Sequence, residues 1–223
     1  MYTCIPDVLN AGQLKQLNDL FERQSFVDGR TTAGAVSGQV KSNLQLSADA
    51  ADHAAMQQMV LEAIGGNSQF RLAAMPKSLQ PIRFARYLPG MFYGRHVDNP
   101  VMGKDPQMRV DLAFTLFLSP SKSYEGGELL IEEPGFRRAY KLPAGALVVY
   151  PANSLHEVAE VTAGRRDVAV GWLQSLVRDP LKRRIIFELE EARGNLLGKI
   201  GKAKEFDTLS RNINELWHMW IEV

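Results

Sequence analysis

Cysteine is nearly missing from this chain. Cys4 is the one thiol in 223 residues, which excludes an intrachain disulfide and fits a reducing compartment. A surplus of charge of one sign is missing too: 26 basic residues stand against 25 acidic ones, for a net charge of +1. No global field is therefore available to draw in nucleic acid or an anionic membrane surface. No apolar run approaches the roughly 20 residues of a helical membrane span, and the opening MYTCIPDVLNAGQ lacks the basic-then-apolar order of a signal peptide. Internal repeats and low-complexity stretches are absent. These absences point to a cytoplasmic protein with neither nucleic acid nor membrane as partner. With 45% hydrophobic and 23% charged residues, one globular domain with a sizeable core and a small appendage is expected.

Periodicity supplies the elements. Leu14, Leu17 and Phe21 recur at helical spacing over residues 11–24. Residues 25–47, with Gly29, Gly34 and Gly38, read as loops and short strands. Residues 47–64 read as a second helix capped by Ser47, with Ala51, Ala55, Met59 and Ile64 as an approximate stripe. Between about 78 and 176 lie β-rich runs separated by Gly and Pro: IRFARY, VDLAFTLFLS, GGELLIE, YKLPAGALVVYP and DVAVGWLQ. Such short strands suggest a sandwich or jelly roll. Asp179-Pro180 then starts a helix with Leu181, Ile185, Leu189 and Ala192 on one face, broken around Gly198–Lys202. A last helix carries Phe206, Leu209, Ile213, Leu216 and Trp220 at alternating spacings of three and four. The division expected is 1–77 as a helical and strand support, 78–176 as the β core and 177–223 as a C-terminal helical subdomain. The last helix docks on its own chain or forms a homo-oligomer contact.

His96-Val97-Asp98, His156 and Arg166 are the chemical signal. Residues i and i+2 of a strand share a face, so His96 and Asp98 point together while Val97 points away. With His156 they can grip one face of a metal and leave three positions open, as non-haem Fe(II) oxygenases require. Arg166 just beyond can hold the carboxylate of a co-substrate. It is preferred over Arg165, which shares the opposite strand face with Asp167 and Ala169. A His-x-Asp triplet alone is weak, and most lone histidines are surface or core residues. The ordered set is stronger: His-x-Asp, a Gly-Gly-Glu turn, an Ala-Gly strand ending in Tyr150, then His156 and the arginine. Arg95 and Asn99 flank the ligands and are candidate substrate contacts; the plainer reading for them is a local salt bridge and a turn. His53 reads as a solvated helix residue.

The pattern RYxPGxxYxxHVDNP…R…TLFLS…YEGGEL…KLPAGALVVYP…SLHEV…VTAGRR…W resembles the Fe(II)/2-oxoglutarate-dependent oxygenases of the prolyl 4-hydroxylase type. More narrowly it resembles the bacterial PKHD-type hydroxylases, PiuC-like proteins associated with iron uptake. The likeness extends to the opening YxxIPxVL, to Phe26-Val27-Asp28-Gly29-Arg30 and to the helical tail. It implies an α+β fold, with a double-stranded β-helix (jelly-roll, cupin-like) core between N-terminal helices and a C-terminal helical appendage. It implies His96, Asp98 and His156 as Fe(2+) ligands and as the catalytic centre, with O2 and 2-oxoglutarate as co-substrates. Arg166 would meet the distal carboxylate of 2-oxoglutarate, and Tyr87 and Tyr93 would line its pocket. Related enzymes place a tyrosine on the strand read here as LAFTLFL; Thr115 offers a hydroxyl instead, with its facing open. L-ascorbate is implied as the reductant. The activity implied is decarboxylation of 2-oxoglutarate to succinate coupled to hydroxylation of a small-molecule or peptide substrate, linked to iron homeostasis. Asp98 favours hydroxylation over halogenation, which needs a small residue there. Two other readings stand beside it: a zinc-dependent hydrolase on a cupin-like barrel, and a non-catalytic iron or 2-oxoglutarate sensor.

Overall fold

Residues 112–117, LAFTLF, are apolar at nearly every position and form a strand buried along its whole length. It lies inside an antiparallel sheet in the order Thr3–Ile5, Leu147–Pro151, Leu112–Phe117, Arg166–Ser175, Arg83–Tyr87, Leu44–Leu46, Phe26–Asp28. Pro76–Leu79 pairs with the far half of Arg166–Ser175. A second antiparallel sheet runs Phe136–Tyr140, Leu129–Glu133, His156–Val158, Phe92–His96, Lys41–Ser42. The computed structural model describes residues 1–223 apart from 33–36, 48, 80–81, 104 and 134; Gly34 lies outside the described residues. Each of the five β-rich runs of the sequence forms a strand. Residues 1–77 supply strands to both sheets, so they are woven into the β core.

Strand parity divides the first sheet into two faces. Phe84, Phe114, Leu116, Val149 and Ala169 join a core covered by helices α1 (Ala11–Glu22), α2 (His53–Gly66) and α3 (Ser68–Ala74). Their neighbours Ala85, Tyr87, Ala113, Phe117, Val148 and Val168 join a second core with Leu129, Ile131 and Val158 of the other sheet. Each fully buried Phe, Leu or Val contributes roughly 1.5–3 kcal/mol. The site lies in the second core.

Helix α1 starts one residue after Asn10, which forms a reciprocal capping box with Gln13. Its Leu17 and Phe21 are buried as the periodicity predicts. Helix α2 corrects the expectation of a Ser47 cap: it begins at His53 with Asp52 in the cap position, and the Ser47 hydroxyl accepts from the Asp49 amide in the turn before it. His53 is half-buried, not solvated, edge-on to Phe84 at 6.2 Å.

Asp179 caps α4 (Pro180–Ile200) through the amides of Leu181 and Lys182. The buried face of α4 is not the one read from the sequence. Leu181 is exposed, while Arg183 and Ile186 are buried. Arg183 turns inward because it donates to the Val177 and Arg178 carbonyls at 2.6 and 2.7 Å. Helix α5 (Lys204–Trp220) buries Ile213 and packs Leu216 and Trp220 beside Met75, Val177 and Ile186. The apolar stripe therefore docks within the chain. The tail is fixed further by Arg109 donating to Glu222 at 3.0 Å. No helix among the described residues is long and apolar enough to cross a membrane.

Candidate active site

His96 ends the Phe92–His96 strand, His156 begins His156–Val158, and the two are cross-strand partners. Strand pairing thus joins two histidines far apart in sequence, with ring centroids 4.2 Å apart. Asp98 sits two residues beyond the strand end, not on the strand as expected. The extended course continues all the same: Val97 is exposed, while His96 and Asp98 turn inward. One ligand atom each from His96, Asp98 and His156 lies within 4.8 Å of the others.

Hydrogen bonding aims both imidazoles. His96 Nδ1 lies 2.8 Å from the Gly94 carbonyl and His156 Nδ1 3.0 Å from the Ser154 carbonyl. A carbonyl only accepts, so each Nδ1 carries a proton and each Nε2 offers its lone pair. Burial, and then the neighbouring His156, hold the His96 pKa down to about 3, so the ring is neutral. Tyr93 stacks on His96 at 3.7 Å. Burial raises the Asp98 pKa, opposed by His156, the Trp172 indole and Arg83. Asp98 Oδ2 is buried without a hydrogen-bond partner among the described residues, a position that costs a carboxylate upwards of about 1–3 kcal/mol. Two lone pairs and an unpartnered carboxylate oxygen are a donor set that could hold a divalent transition metal and leave further positions open.

Arg166 is the second anomaly. It is 1% exposed, and its Nε and Nη1 have no acceptor among the described residues. Its guanidinium lies 5.0 Å from the Tyr87 ring and 5.5 Å from that of Phe117. The Gly-Gly-Glu turn explains how the side chain fits: at Gly127, with φ of +66°, a Cβ would come within 3.0 Å of Arg166 Cδ. Arg165 points outward to Glu22 and Asp167, so the two arginines face opposite ways, as strand parity predicts. Arg166 shares one cavity with His96, Asp98 and His156; Tyr87, Tyr93, Asn99 and Thr115 line it too. Thr115 alternates with Ala113 and Phe117 of the second core, so it shares their strand face. Arg95, adjacent to His96 in a strand, faces the other way: it is exposed and paired with Glu132, the local salt bridge that was the plainer reading for it.

Sequence reading missed one wall of this cavity. Lys41, Asn43 and Gln45, all buried, line it from one segment, and Arg83 lines it from a neighbouring strand. The only sequence signal was the i, i+2, i+4 recurrence of polar residues in KSNLQL. Tyr150 also lines the cavity, with its hydroxyl pKa raised by burial and by Asp98, so it is a neutral donor.

This fold and cluster define a class, the 2OG-Fe(II) oxygenases, whose superfamily signature matches residues 82–174. Solved structures share the fold. A prolyl hydroxylase from Trichoplax adhaerens, in complex with a hypoxia inducible factor peptide, aligns with a TM-score of 0.58 at 15% identity, over 83% of this chain and 86% of that one. A Pseudomonas putida prolyl-4-hydroxylase aligns with a TM-score of 0.52 at 23% identity, over 78% and 92%. Among full-length relatives, PKHD-type hydroxylases of Picosynechococcus sp. and Synechococcus elongatus are each 44% identical over 100% of both chains. The chain belongs to the PKHD-type hydroxylase family and is an Fe(II)/2-oxoglutarate-dependent dioxygenase.

Proposed function

We propose that His96, Asp98 and His156 hold the iron, and that Arg166 receives the distal carboxylate of 2-oxoglutarate. On this reading its conversion to succinate is coupled to hydroxylation of a small-molecule or peptide substrate. The carrying observation is the buried Arg166 guanidinium, with donors lacking acceptors, in the same cavity as the ligand cluster. A zinc hydrolase has no use for such a cation. A non-catalytic sensor shares every feature except turnover, so the assay below separates it.

Iron with 2-oxoglutarate and O2 supplies the oxidising chemistry; the chain binds, orients and shields. Gly94 and Ser154 carbonyls hold the imidazoles in the ligating tautomer. Tyr93 fixes the plane of His96. Arg166 anchors the co-substrate by charge-assisted hydrogen bonds, with the Tyr87 face under its guanidinium and the Thr115 and Tyr150 hydroxyls as further donors. The apolar side chains of the second core keep bulk water from the reacting atoms. We read the two sheets as a double-stranded β-helix, with 177–223 as its helical appendage. A peptide substrate is supported by the peptide complex of the Trichoplax relative. Ascorbate as reductant, a place in iron homeostasis, a cytoplasmic location and a homo-oligomer through α4 and α5 belong to the same proposal, the last supported by exposed Leu197, Ile200 and Met219.

The test is anaerobic loading with Fe(II) and 2-oxoglutarate, then admission of air, on wild type, His96→Ala and Arg166→Met. Wild type should show the visible charge-transfer band of chelated 2-oxoglutarate and slow succinate release; both variants should lose the band. A wild type that binds iron but not 2-oxoglutarate would sink the proposal.

A further inference from the structure

Arg166 is not alone in keeping polar atoms buried without partners. Tyr124 is buried, and its hydroxyl has no hydrogen-bond partner among the described residues. It opens the short strand Tyr124–Gly126 and lies opposite Gly164, two residues short of Arg166. Gly127 abuts both side chains: a Cβ there would come within 3.0 Å of Arg166 Cδ and 3.2 Å of Tyr124 Cε2. The guanidinium and the phenol therefore flank one turn. Burial raises the Tyr124 pKa; Arg166 is the neighbour that opposes the rise, and Glu128 adds to it. The phenol thus keeps its proton at neutral pH, and its oxygen still has lone pairs to offer a guanidinium.

The packing of the ring does not depend on that hydroxyl. Lys141 donates to the Tyr124 carbonyl at 2.9 Å and sets its ammonium 4.3 Å from the ring centre, with Glu128 3.6 Å from the same ammonium. A phenylalanine would keep the ring contact and the backbone bond. It would also remove a buried hydroxyl that costs stability while it is unpaired. Tyr140 shows the contrast: it is buried too, but its hydroxyl donates to Glu133 at 2.8 Å. Tyr124 is not one of the described residues that line the cavity, so it reaches a bound co-substrate through Arg166. A guanidinium is a planar fork of five donors with no acceptor. An oxygen held at one edge of it decides which edge faces the cavity.

We infer that Tyr124 is a positioning residue for Arg166: its phenol oxygen accepts from one edge of the guanidinium and turns another edge toward the distal carboxylate of 2-oxoglutarate. Tyr87 and Phe117 offer the cation their rings; Tyr124 offers it an acceptor. Both groups stand open in the structure, and the bond between them forms as Arg166 turns to meet the carboxylate. This inference rests on the reading that Arg166 receives that carboxylate, and its test lets the two fail separately.

The experiment uses the full chain loaded with Zn(II), titrated calorimetrically with 2-oxoglutarate and with 2-oxopentanoate, which ends in a methyl group instead of the distal carboxylate. Wild type, Tyr124→Phe, Arg166→Met and the double variant are compared. Tyr124→Phe should weaken 2-oxoglutarate binding about tenfold, the scale of a hydrogen bond to a charged group. It should leave 2-oxopentanoate affinity unchanged, which also controls for folding, and hold or raise the melting temperature measured without ligand. On the Arg166→Met background, Tyr124→Phe should shift 2-oxoglutarate affinity by less than about twofold, as expected of two groups acting as one unit. Equal weakening of both acids, a lowered melting temperature, or an undiminished loss on the Arg166→Met background overturns the proposal. Should Arg166→Met weaken 2-oxoglutarate binding and Tyr124→Phe not, this inference fails alone. Should Arg166→Met bind 2-oxoglutarate as tightly as wild type, the Arg166 reading fails and this inference falls with it.

Discussion

The two faces of the Arg83–Tyr87 and Arg166–Ser175 strand pair carry the same kinds of residue to opposite ends. On the helix-covered face, Arg86 meets Asp167 through two hydrogen bonds of 2.9 and 3.1 Å and lies 4.3 Å from the Phe26 ring. On the cavity face, one residue away in each strand, Arg166 lies over Tyr87 with no carboxylate partner among the described residues. Both guanidinium groups are largely out of water, and both rest on aromatic rings. The difference is the counter-charge. Where the chain supplies it, the arginine ties strand to strand; where it does not, the arginine keeps donors without acceptors, as the proposed co-substrate site requires. Site and scaffold are interleaved at single-residue spacing, so they should be separable by single substitutions.

Asp167→Asn should have the largest effect. Burial raises the Asp167 pKa even with Arg86 beside it, so the pair offsets its own desolvation only in part. Removing one partner is worse, because it leaves a largely buried cation with only the half-exposed Glu22 at 3.9 Å, at a cost of up to about 3–5 kcal/mol. Chemical denaturation should show that loss, with 2-oxoglutarate affinity unchanged in the folded fraction. The double variant Arg86→Met/Asp167→Leu should recover most of it. If Asp167→Asn instead weakens 2-oxoglutarate binding at constant stability, the division between the faces is wrong.

Arg166→Met is the mirror case. The loss should appear in binding: an uncompensated distal carboxylate costs at least about 2 kcal/mol, some 30-fold in 2-oxoglutarate affinity by calorimetry. Stability of the ligand-free protein should hold or rise, because a buried charge without a counter-charge has gone. A lowered melting temperature in the absence of ligand would mean that Arg166 is structural after all.

Gly171→Ala probes the helix-covered face without charge. Gly171 is the cross-strand partner of Phe114, and a Cβ there would lie 2.5 Å from the Phe114 ring. Phe114 is fully buried and has no room to retreat, so about 1–3 kcal/mol of overpacking strain is expected. The loss should appear in the denaturation midpoint, and hydroxylase turnover at low temperature should be kept.

Much of the site was legible because its logic is local. His96 and Asp98 follow i, i+2 spacing, parity separates Arg166 from Arg165, and a Gly-Gly turn sits where Arg166 needs space. The same parity rule turns Arg95 outward, since it stands next to an inward-facing histidine. What could not be read was non-local. Lys41, Asn43 and Gln45 become a cavity wall only because their segment pairs with both the Phe92–His96 and Arg83–Tyr87 strands, and nothing in KSNLQL names those partners. The α4 face was misread for a related reason. Helical periodicity ranks apolar residues, but Arg183 is drawn inward by two carbonyls at the end of the sheet, and Leu181 is left outside.

The smallest effect is a titration. His53 on α2 meets Phe84 edge-on, on the face opposite the site, and burial lowers its pKa below the ordinary histidine value. The folded protein therefore favours the neutral ring, while the unfolded chain protonates at about pH 6.5. Below that value the unfolded state binds more protons, so this contribution is complete above about pH 6.5 and is lost as pH falls through it. Half-exposure keeps the effect small. The denaturation midpoint of wild type should decline between pH 7.5 and 5.5 more steeply than that of His53→Gln, while 2-oxoglutarate affinity of the two proteins follows one curve over the same range. Divergent binding curves would mean that acid at α2 reaches the cavity through the Arg83–Tyr87 strand, and the two faces would then be coupled through the backbone they share.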